Sequence, residues 1–175
     1  RSNNSAVIVR DKTSAEQFGK IMQSVKQFGE PGFVFVESTE HTTNPCVEIG
    51  MYPQIDGKSG WQGCNLTEIN ADNIVSQDDF NHRATVASFF GTLQAGFTDF
   101  HYLRSIWQKT TEEEALIGVG MTGIASKKIL KLDLGEAADT AKLVNEATAK
   151  LIGIAPAARV TTVKPSGTTS CVVGS

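Results

Sequence analysis

Apolar and polar positions along the chain follow two different periods, and the switches between them predict its elements. Residues 5–10 alternate around Ala6-Val7-Ile8-Val9 and read as a strand. Thr13-Ser14-Ala15-Glu16 is a capping sequence that opens a helix running through about Phe28. Gly29-Glu30-Pro31-Gly32 stops that helix, and Phe33-Val34-Phe35-Val36 follows as a short apolar strand. A polar loop carries residues 44–59, and residues 64–69 read as a further strand. Asp72 or Ser76 begins a long helix to about Leu103, in which Phe80, Ala84, Ala87, Phe90 and Phe97 recur near helical spacing. Apolar residues 115–119 lead through the glycines of 120–123 into a helix near 124–131. Residues 134–152 form another helix, with Leu143, Ala147 and Leu151 on one face. Residues 159–163 are a strand, and 165–170 a turn that feeds something helical. Strands alternating with helices predict an α/β fold with mostly parallel strands.

At 175 residues and 40% hydrophobic, the chain can bury a sizeable core in one domain or slightly more. A net charge of -3 argues against a broadly basic surface, so no direct nucleic-acid binding is expected. No apolar run approaches the roughly 20 residues of a membrane span, and no secretory pattern follows Arg1, so a reducing cytoplasm is the expected location. Three cysteines are too few for a secreted disulfide scaffold and read as catalytic, redox or buried. Residues 1–5 run into the first strand without a methionine, and the sequence stops at Cys171-Val172-Val173-Gly174-Ser175 where a new element begins. An excerpt from a longer protein is therefore expected.

Two of the cysteines stand inside polar-acidic signatures: Asn44-Pro45-Cys46-Val47-Glu48-Ile49 and Cys64-Asn65-Leu66-Thr67-Glu68-Ile69-Asn70. If the first is extended, period-two geometry puts Asn44, Cys46 and Glu48 on one face, with the thiol between an amide and a potential base. The second thiol offers an electron pair. Two lone cysteines with no CxxC and no paired histidines do not make four zinc ligands, so no metal site is expected; His41, His82 and His101 form no spaced pair. Cys171 reads as a small buried hydrophobe. Phe89, Phe90, Phe97, Phe100, Tyr102 and Trp107 read as core, and Glu112-Glu113-Glu114 as a solvated helix start or loop.

In Lys164-Pro165-Ser166-Gly167-Thr168-Thr169-Ser170, backbone N–H groups and four hydroxyls make a natural phosphate cradle, or a Pro-Gly turn with a capping alcohol. It lacks the Gly-Lys-Ser/Thr order of a Walker A loop. Gly118-Val119-Gly120-Met121-Thr122-Gly123 matches GxGxxG. The acidic residue a dinucleotide fold needs about 20 positions later falls near Asp139, inside a helical stretch, so the glycines read as a tight strand-to-helix turn.

Taken together, Asn-Pro-Cys-x-Glu at 44–48, Cys-Asn-Leu-x-x-Ile-Asn at 64–70 and Lys-Pro-Ser-Gly-Thr-x-Ser at 164–170 resemble the catalytic subunit of ribonucleotide reductases. The sequence is most similar to the adenosylcobalamin-dependent class, class II. Oxygen-dependent class I subunits more commonly show Asn-Leu-Cys and Pro-Thr-Ala-Ser-Ser at the first and last of these places. Residues 29–32 and 117–123 also resemble that family, so the likeness covers nearly the whole chain in the right order.

The resemblance implies a ten-stranded α/β barrel with a central finger loop, of which residues 1–175 would be a partial catalytic domain truncated at both ends. It implies that Cys46 forms the thiyl radical that takes the ribose 3′ hydrogen, that Glu48 is the general base at the 3′-hydroxyl, and that Asn44 binds the ribose hydroxyls. Cys64 would be one of two reducing cysteines, its partner lying N-terminal to this chain. Pro165, Ser166, Gly167, Thr168, Thr169 and Ser170 would bind the substrate phosphates. The implied partners are a ribonucleotide substrate and a thioredoxin- or glutaredoxin-type reductant, with a homodimer when full length. Adenosylcobalamin would bind outside these residues. Two other readings remain at this point: an NAD-dependent dehydrogenase resting on GxGxxG, and a catalytically inactive nucleotide-binding reductase-like module. The insert 50–63, with Gly57, Ser59 and Gly60, reads as a flexible loop able to hold Cys64 away from a site.

Overall fold

The α/β alternation holds in the structure. The computed structural model describes residues 4–175, so the expected cut end at Arg1 to Asn3 lies outside the described residues. The chain divides into two units, Arg1–Ser59 and Gly60–Ser175.

In the first unit, β1 (Ser5–Val9) and β2 (Gly32–Val36) pair in parallel, Ser5 opposite Gly32 and Val9 opposite Val36. The crossover between them is α1 (Ala15–Phe28). Its start is a reciprocal cap: the Gln17 N–H donates to Ser14 Oγ at 3.2 Å, and the Ser14 N–H to Gln17 Oε1 at 2.9 Å. Its end is Gly29 at φ 70°, whose N–H reaches the Val25 carbonyl. Phe18 of α1 packs on Phe33 and Phe35 of β2, and the Arg10 guanidinium lies over the Phe35 ring at 5.0 Å.

The stretch expected as a polar loop is instead folded into two antiparallel hairpins. β3 (Thr42–Thr43) pairs with β4 (Gly50–Met51), and β5 (Gln54–Ile55) with β6 (Lys58–Ser59). Asp56 and Gly57 close the second hairpin at φ 51° and 70°, the two left-handed positions that Asp-Gly supplies in a two-residue turn.

The second unit is built on β7 (Asn65–Asn70) and β8 (Ile117–Thr122), parallel and in register from Asn65 opposite Ile117 to Asn70 opposite Thr122. The expected strand at 159–163 reduces to one bridge, Val119 to Thr161, along the other edge of β8. The Val119 N–H donates to the Val160 carbonyl at 2.8 Å, and the Thr162 N–H to the Val119 carbonyl at 3.1 Å. Ile69, Ile117 and Val119 turn to one side, against Phe80, Ala84 and Ala87 of α2 (Gln77–Ala95) and Ala137 and Ala141 of α4 (Leu134–Ile152), with α3 (Ser105–Glu114) between α2 and β8 in sequence.

The seam between α2 and α4 is made of small residues and a buried polar chain. Ser88 Oγ donates to the Ala141 carbonyl at 2.6 Å, and Asn145 Nδ2 to Thr92 Oγ1 at 2.9 Å. Asn145 Oδ1 accepts the Ala157 N–H at 2.8 Å, which ties α4 to the segment leading into 159–162.

That seam explains several corrections. Leu143 and Leu151 are 66% and 81% exposed, because α4 packs through its alanines, Asn145 and Thr148 and turns its leucine face outward. The aromatic set read as core is likewise outside it: Phe89, Phe90, Phe97 and Tyr102 are exposed, and Phe100 and Trp107 only half-buried. Phe80 is the one ring of α2 that enters the core, beside Ala84, Ala137 and Ala141. α2 ends at Ala95 rather than near Leu103; a Cβ on Gly96 would stand 3.3 Å from Ile152 Cδ1, so the chain turns where the end of α4 approaches. Glu112 to Glu114 are the end of α3, not a helix start or loop. The helix expected near 124–131 is two short 3-10 turns, broken by Lys127 at φ 62°.

Two expectations follow. A Cβ on Gly60 would lie 2.6 Å from the Thr110 side chain and 3.0 Å from the Ile106 carbonyl, whereas one on Gly63 would meet nothing. In chemical denaturation, Gly60→Ala should cost about 2 kcal/mol by overpacking, and Gly63→Ala less than about 0.5 kcal/mol. Asp79, at the start of α2, accepts from Arg83 Nε at 2.8 Å and from the Val75 N–H at 3.1 Å, and these hold its carboxyl below its ordinary value. A group lowered on folding adds stability that is complete above the ordinary carboxylate range and is lost as pH falls through its folded value. Melting temperature measured against pH should therefore fall less steeply at the acid end in Asp79→Asn than in the parent protein.

Candidate active site

The candidate residues fall in both units: Asn44, Cys46 and Glu48 in the first, Cys64 and residues 165–170 in the second. Cys46 stands in a tight turn, not in an extended strand. The Val47 N–H donates to the Asn44 carbonyl at 3.0 Å, closing a four-residue turn with Pro45 at its second position, where a fixed φ is already correct. Asn44, 6% exposed, anchors this turn: Oδ1 accepts the Ile49 N–H at 3.0 Å, and its own N–H donates to the Ile49 carbonyl at 3.3 Å. The period-two face expected from an extended chain is thus replaced by a loop between β3 and β4. Cys46 is exposed on it and Glu48 is half-buried two residues on. Between them Val47 holds φ 67°, a left-handed conformation that a β-branched residue adopts at a cost of about 1–2 kcal/mol.

Cys64 is exposed immediately before β7, and its neighbours are fixed. Thr110 Oγ1 donates to the Trp61 carbonyl at 2.5 Å, and the Trp61 and Trp107 rings stack at 5.3 Å. Gln62 Nε2 reaches the Thr110 carbonyl at 2.9 Å and Glu114 Oε2 at 2.8 Å, and Asn65 Nδ2 the Leu116 carbonyl at 3.0 Å. The end of the insert read as flexible is therefore laced to α3. Cys171, expected to be buried, is exposed: it lies on α5 (Gly167–Val173), a helix too short to bury any of its residues.

Residues 165–170 form the turn expected, running into α5 at Gly167, φ 40°. The Thr169 N–H donates to the Ser166 carbonyl at 3.0 Å and Ser170 Oγ to the Gly167 carbonyl at 2.8 Å, while Gly167 and Thr168 are exposed. Two residues beside this turn were not singled out from the sequence. Glu68 and Thr122 alternate with core-facing Ile69 and Val119, so they lie on the sheet face away from the helices. Thr122 Oγ1 donates to Glu68 Oε1 at 2.5 Å and lies 2.6 Å from Ser166 Oγ. Glu68 is paired with Gly120, where a Cβ would stand 3.4 Å from Glu68 Oε2, and Asn70 Nδ2 donates to the Val173 carbonyl at 3.0 Å. A carboxylate at a strand position facing a glycine was the available signal.

Gly118 and Gly120 lie inside β8, and only Gly123, φ 91°, is at the turn, followed by a 3-10 turn and not a helix. A dinucleotide loop needs its glycines to open a helix, so the GxGxxG match has no such geometry here. Among the described residues no group of three His, Cys, Asp or Glu side chains is placed to hold a metal ion, and no helix is long and apolar enough to cross a membrane.

No family model matches the chain, and no curated protein matches it. Among solved structures it is similar to a crystal structure of a B-12 dependent (class II) ribonucleotide reductase, with a TM-score of 0.71 at 19% identity. The match covers 99% of this chain and 29% of that one. The fold of these residues is thus that of part of a ribonucleotide reductase chain, and the chain spans less than a third of that protein's length.

Asparagine tolerates the left-handed region far better than valine. Val47→Asn should raise stability by about 1 kcal/mol in chemical denaturation.

Proposed function

We propose that this chain is part of the catalytic barrel of a ribonucleotide reductase, a ten-stranded α/β barrel in which residues 44–48 are the central finger loop. The reaction would be reduction of ribonucleotides to 2′-deoxyribonucleotides by a thiyl-radical route, in an adenosylcobalamin-dependent enzyme. The observation that carries this is a reductase fold over 99% of the chain, joined to three motifs that occur in the family's order. At 19% identity the fold alone would not select an activity; the motifs do so.

On this reading the exposed Cys46 sulfur takes the ribose 3′ hydrogen atom and later returns it. Glu48 accepts the 3′-hydroxyl proton, which helps the C2′ hydroxyl leave as water, and Asn44 hydrogen-bonds the ribose hydroxyls. Two electrons come from Cys64 and a second thiol outside these residues, which end as a disulfide that a thioredoxin- or glutaredoxin-type reductant reopens. Pro165 to Ser170 hold the substrate phosphates. When bound, adenosylcobalamin would supply the one-electron chemistry that makes the Cys46 radical. None of the residues assigned here is needed to hold that cofactor, whose site is expected elsewhere in the protein. The full-length enzyme would act in the cytoplasm, as a homodimer.

The test is turnover by the full-length protein supplied with a ribonucleotide, a dithiol and adenosylcobalamin. Deoxyribonucleotide should form, Cys46→Ser should abolish it while leaving nucleotide binding, and Glu48→Gln should lower kcat by about 10²- to 10⁴-fold. Dependence on a diiron or dimanganese partner subunit would remove the class assignment. Nucleotide binding with no turnover under either condition would leave an inactive nucleotide-binding module.

A further inference from the structure

We propose that Glu68 and Thr122 are positioning residues that commit the Ser166 hydroxyl to the strand pair. The substrate phosphates would then be read by the backbone N–H groups of the turn and the Thr168 and Thr169 hydroxyls, not by the Ser166 hydroxyl. This rests on the phosphate reading of residues 165–170 and assigns roles within it.

A threonine hydroxyl has one proton, and Thr122 spends it on Glu68 Oε1 at 2.5 Å. The 2.6 Å contact between Thr122 and Ser166 therefore has Ser166 as donor. With its proton turned towards Thr122, Ser166 keeps only lone pairs, and phosphate oxygens offer only lone pairs in return. Linked in this way, each hydroxyl's hydrogen bond polarises the next. The direction of the chain is set at Glu68, the end furthest from the turn.

The same bonds fix α5. Seven residues are too few for a helix to persist unaided in water. Ser166, just before α5, is bound to Thr122 at the end of β8, and the Val173 carbonyl, its last residue, to Asn70 at the end of β7. The turn and its helix are thus pinned at both ends to the carboxyl ends of two paired strands, where open α/β sheets bind ligands. Gly120 stands beside Glu68 on this face, where an added Cβ would come into van der Waals contact with Oε2 at 3.4 Å.

The experiment is steady-state kinetics on the full-length reductase with variants along the chain. Thr122→Val keeps shape and breaks the link; it and Ser166→Ala should each raise the KM for ribonucleotide about tenfold with kcat within about twofold. The double variant should be no worse than either single one, because both remove the same constraint. Thr122→Ser and Glu68→Gln keep a hydroxyl and an acceptor in the same order and should stay within about threefold of the parent. Thr168→Ala and Thr169→Ala should raise KM independently of Thr122→Val.

Losses that add in the double variant, or a KM rise in Ser166→Ala that Thr122→Val lacks, would make Ser166 a phosphate ligand and overturn the inference alone. Thr122→Ser behaving like Thr122→Val would show that shape and not the hydroxyl matters, with the same result. An unchanged KM in every variant, Thr168→Ala and Thr169→Ala included, would overturn the phosphate reading itself and this inference with it.

Discussion

The parallel register between residues 65–70 and 117–122 is the constraint on which the second unit depends. Parallel strands cannot be joined by a tight turn, so the connection must leave the sheet and return, and here α2 and α3 fill it. Once that register is set, alternation divides the strands into two chemically different faces. Ile69, Ile117 and Val119 go to the helices; Glu68, Asn70, Gly120 and Thr122 go to the opposite side. A slip of one residue would send Glu68 into the core and Ile69 to the polar face. The core thus fixes the register, and the register brings Glu68 to Thr122, 54 positions away in sequence.

Local signals made much of the fold legible in the sequence. α1 shows in Ser14 and Gly29, whose capping roles need only neighbours within a turn, and α4 spans the residues its polarity pattern predicts. What did not show was the packing face of a helix that buries alanines, since small side chains leave almost no hydrophobic signal while exposed leucines leave a strong one. The exposed rings of Phe89, Phe90 and Phe97 misled for the same reason. Asp56-Gly57 is different: it carries a hairpin signal that the polarity of the surrounding stretch masks.

The candidate site was legible as a list of groups and not as geometry. Asn44, Cys46 and Glu48 were found from residue type and spacing, but the extended face drawn for them was not. Pro45 sits where a β-turn wants it, and Asn44 spends its side-chain oxygen holding that turn. The Glu68–Thr122–Ser166 chain was beyond local reading altogether, because it needs the pairing of β7 with β8 and the approach of the 165–170 turn.

The two units hold their exposed thiols by different physical means. Cys46 is carried on a backbone that stores strain at Val47, and a strained turn persists only because Asn44 and the β3–β4 pairing over-determine it. Cys64 is carried on an unstrained run braced on both sides, by Gln62 to α3 and by Asn65 to the Leu116 carbonyl. The difference suits the two roles proposed. A sulfur that must meet one substrate hydrogen gains from a turn with a single allowed shape. A sulfur that must face the substrate and later a second thiol gains from fixed neighbours, since a disulfide forms only when the two Cβ atoms come within about 4.5 Å.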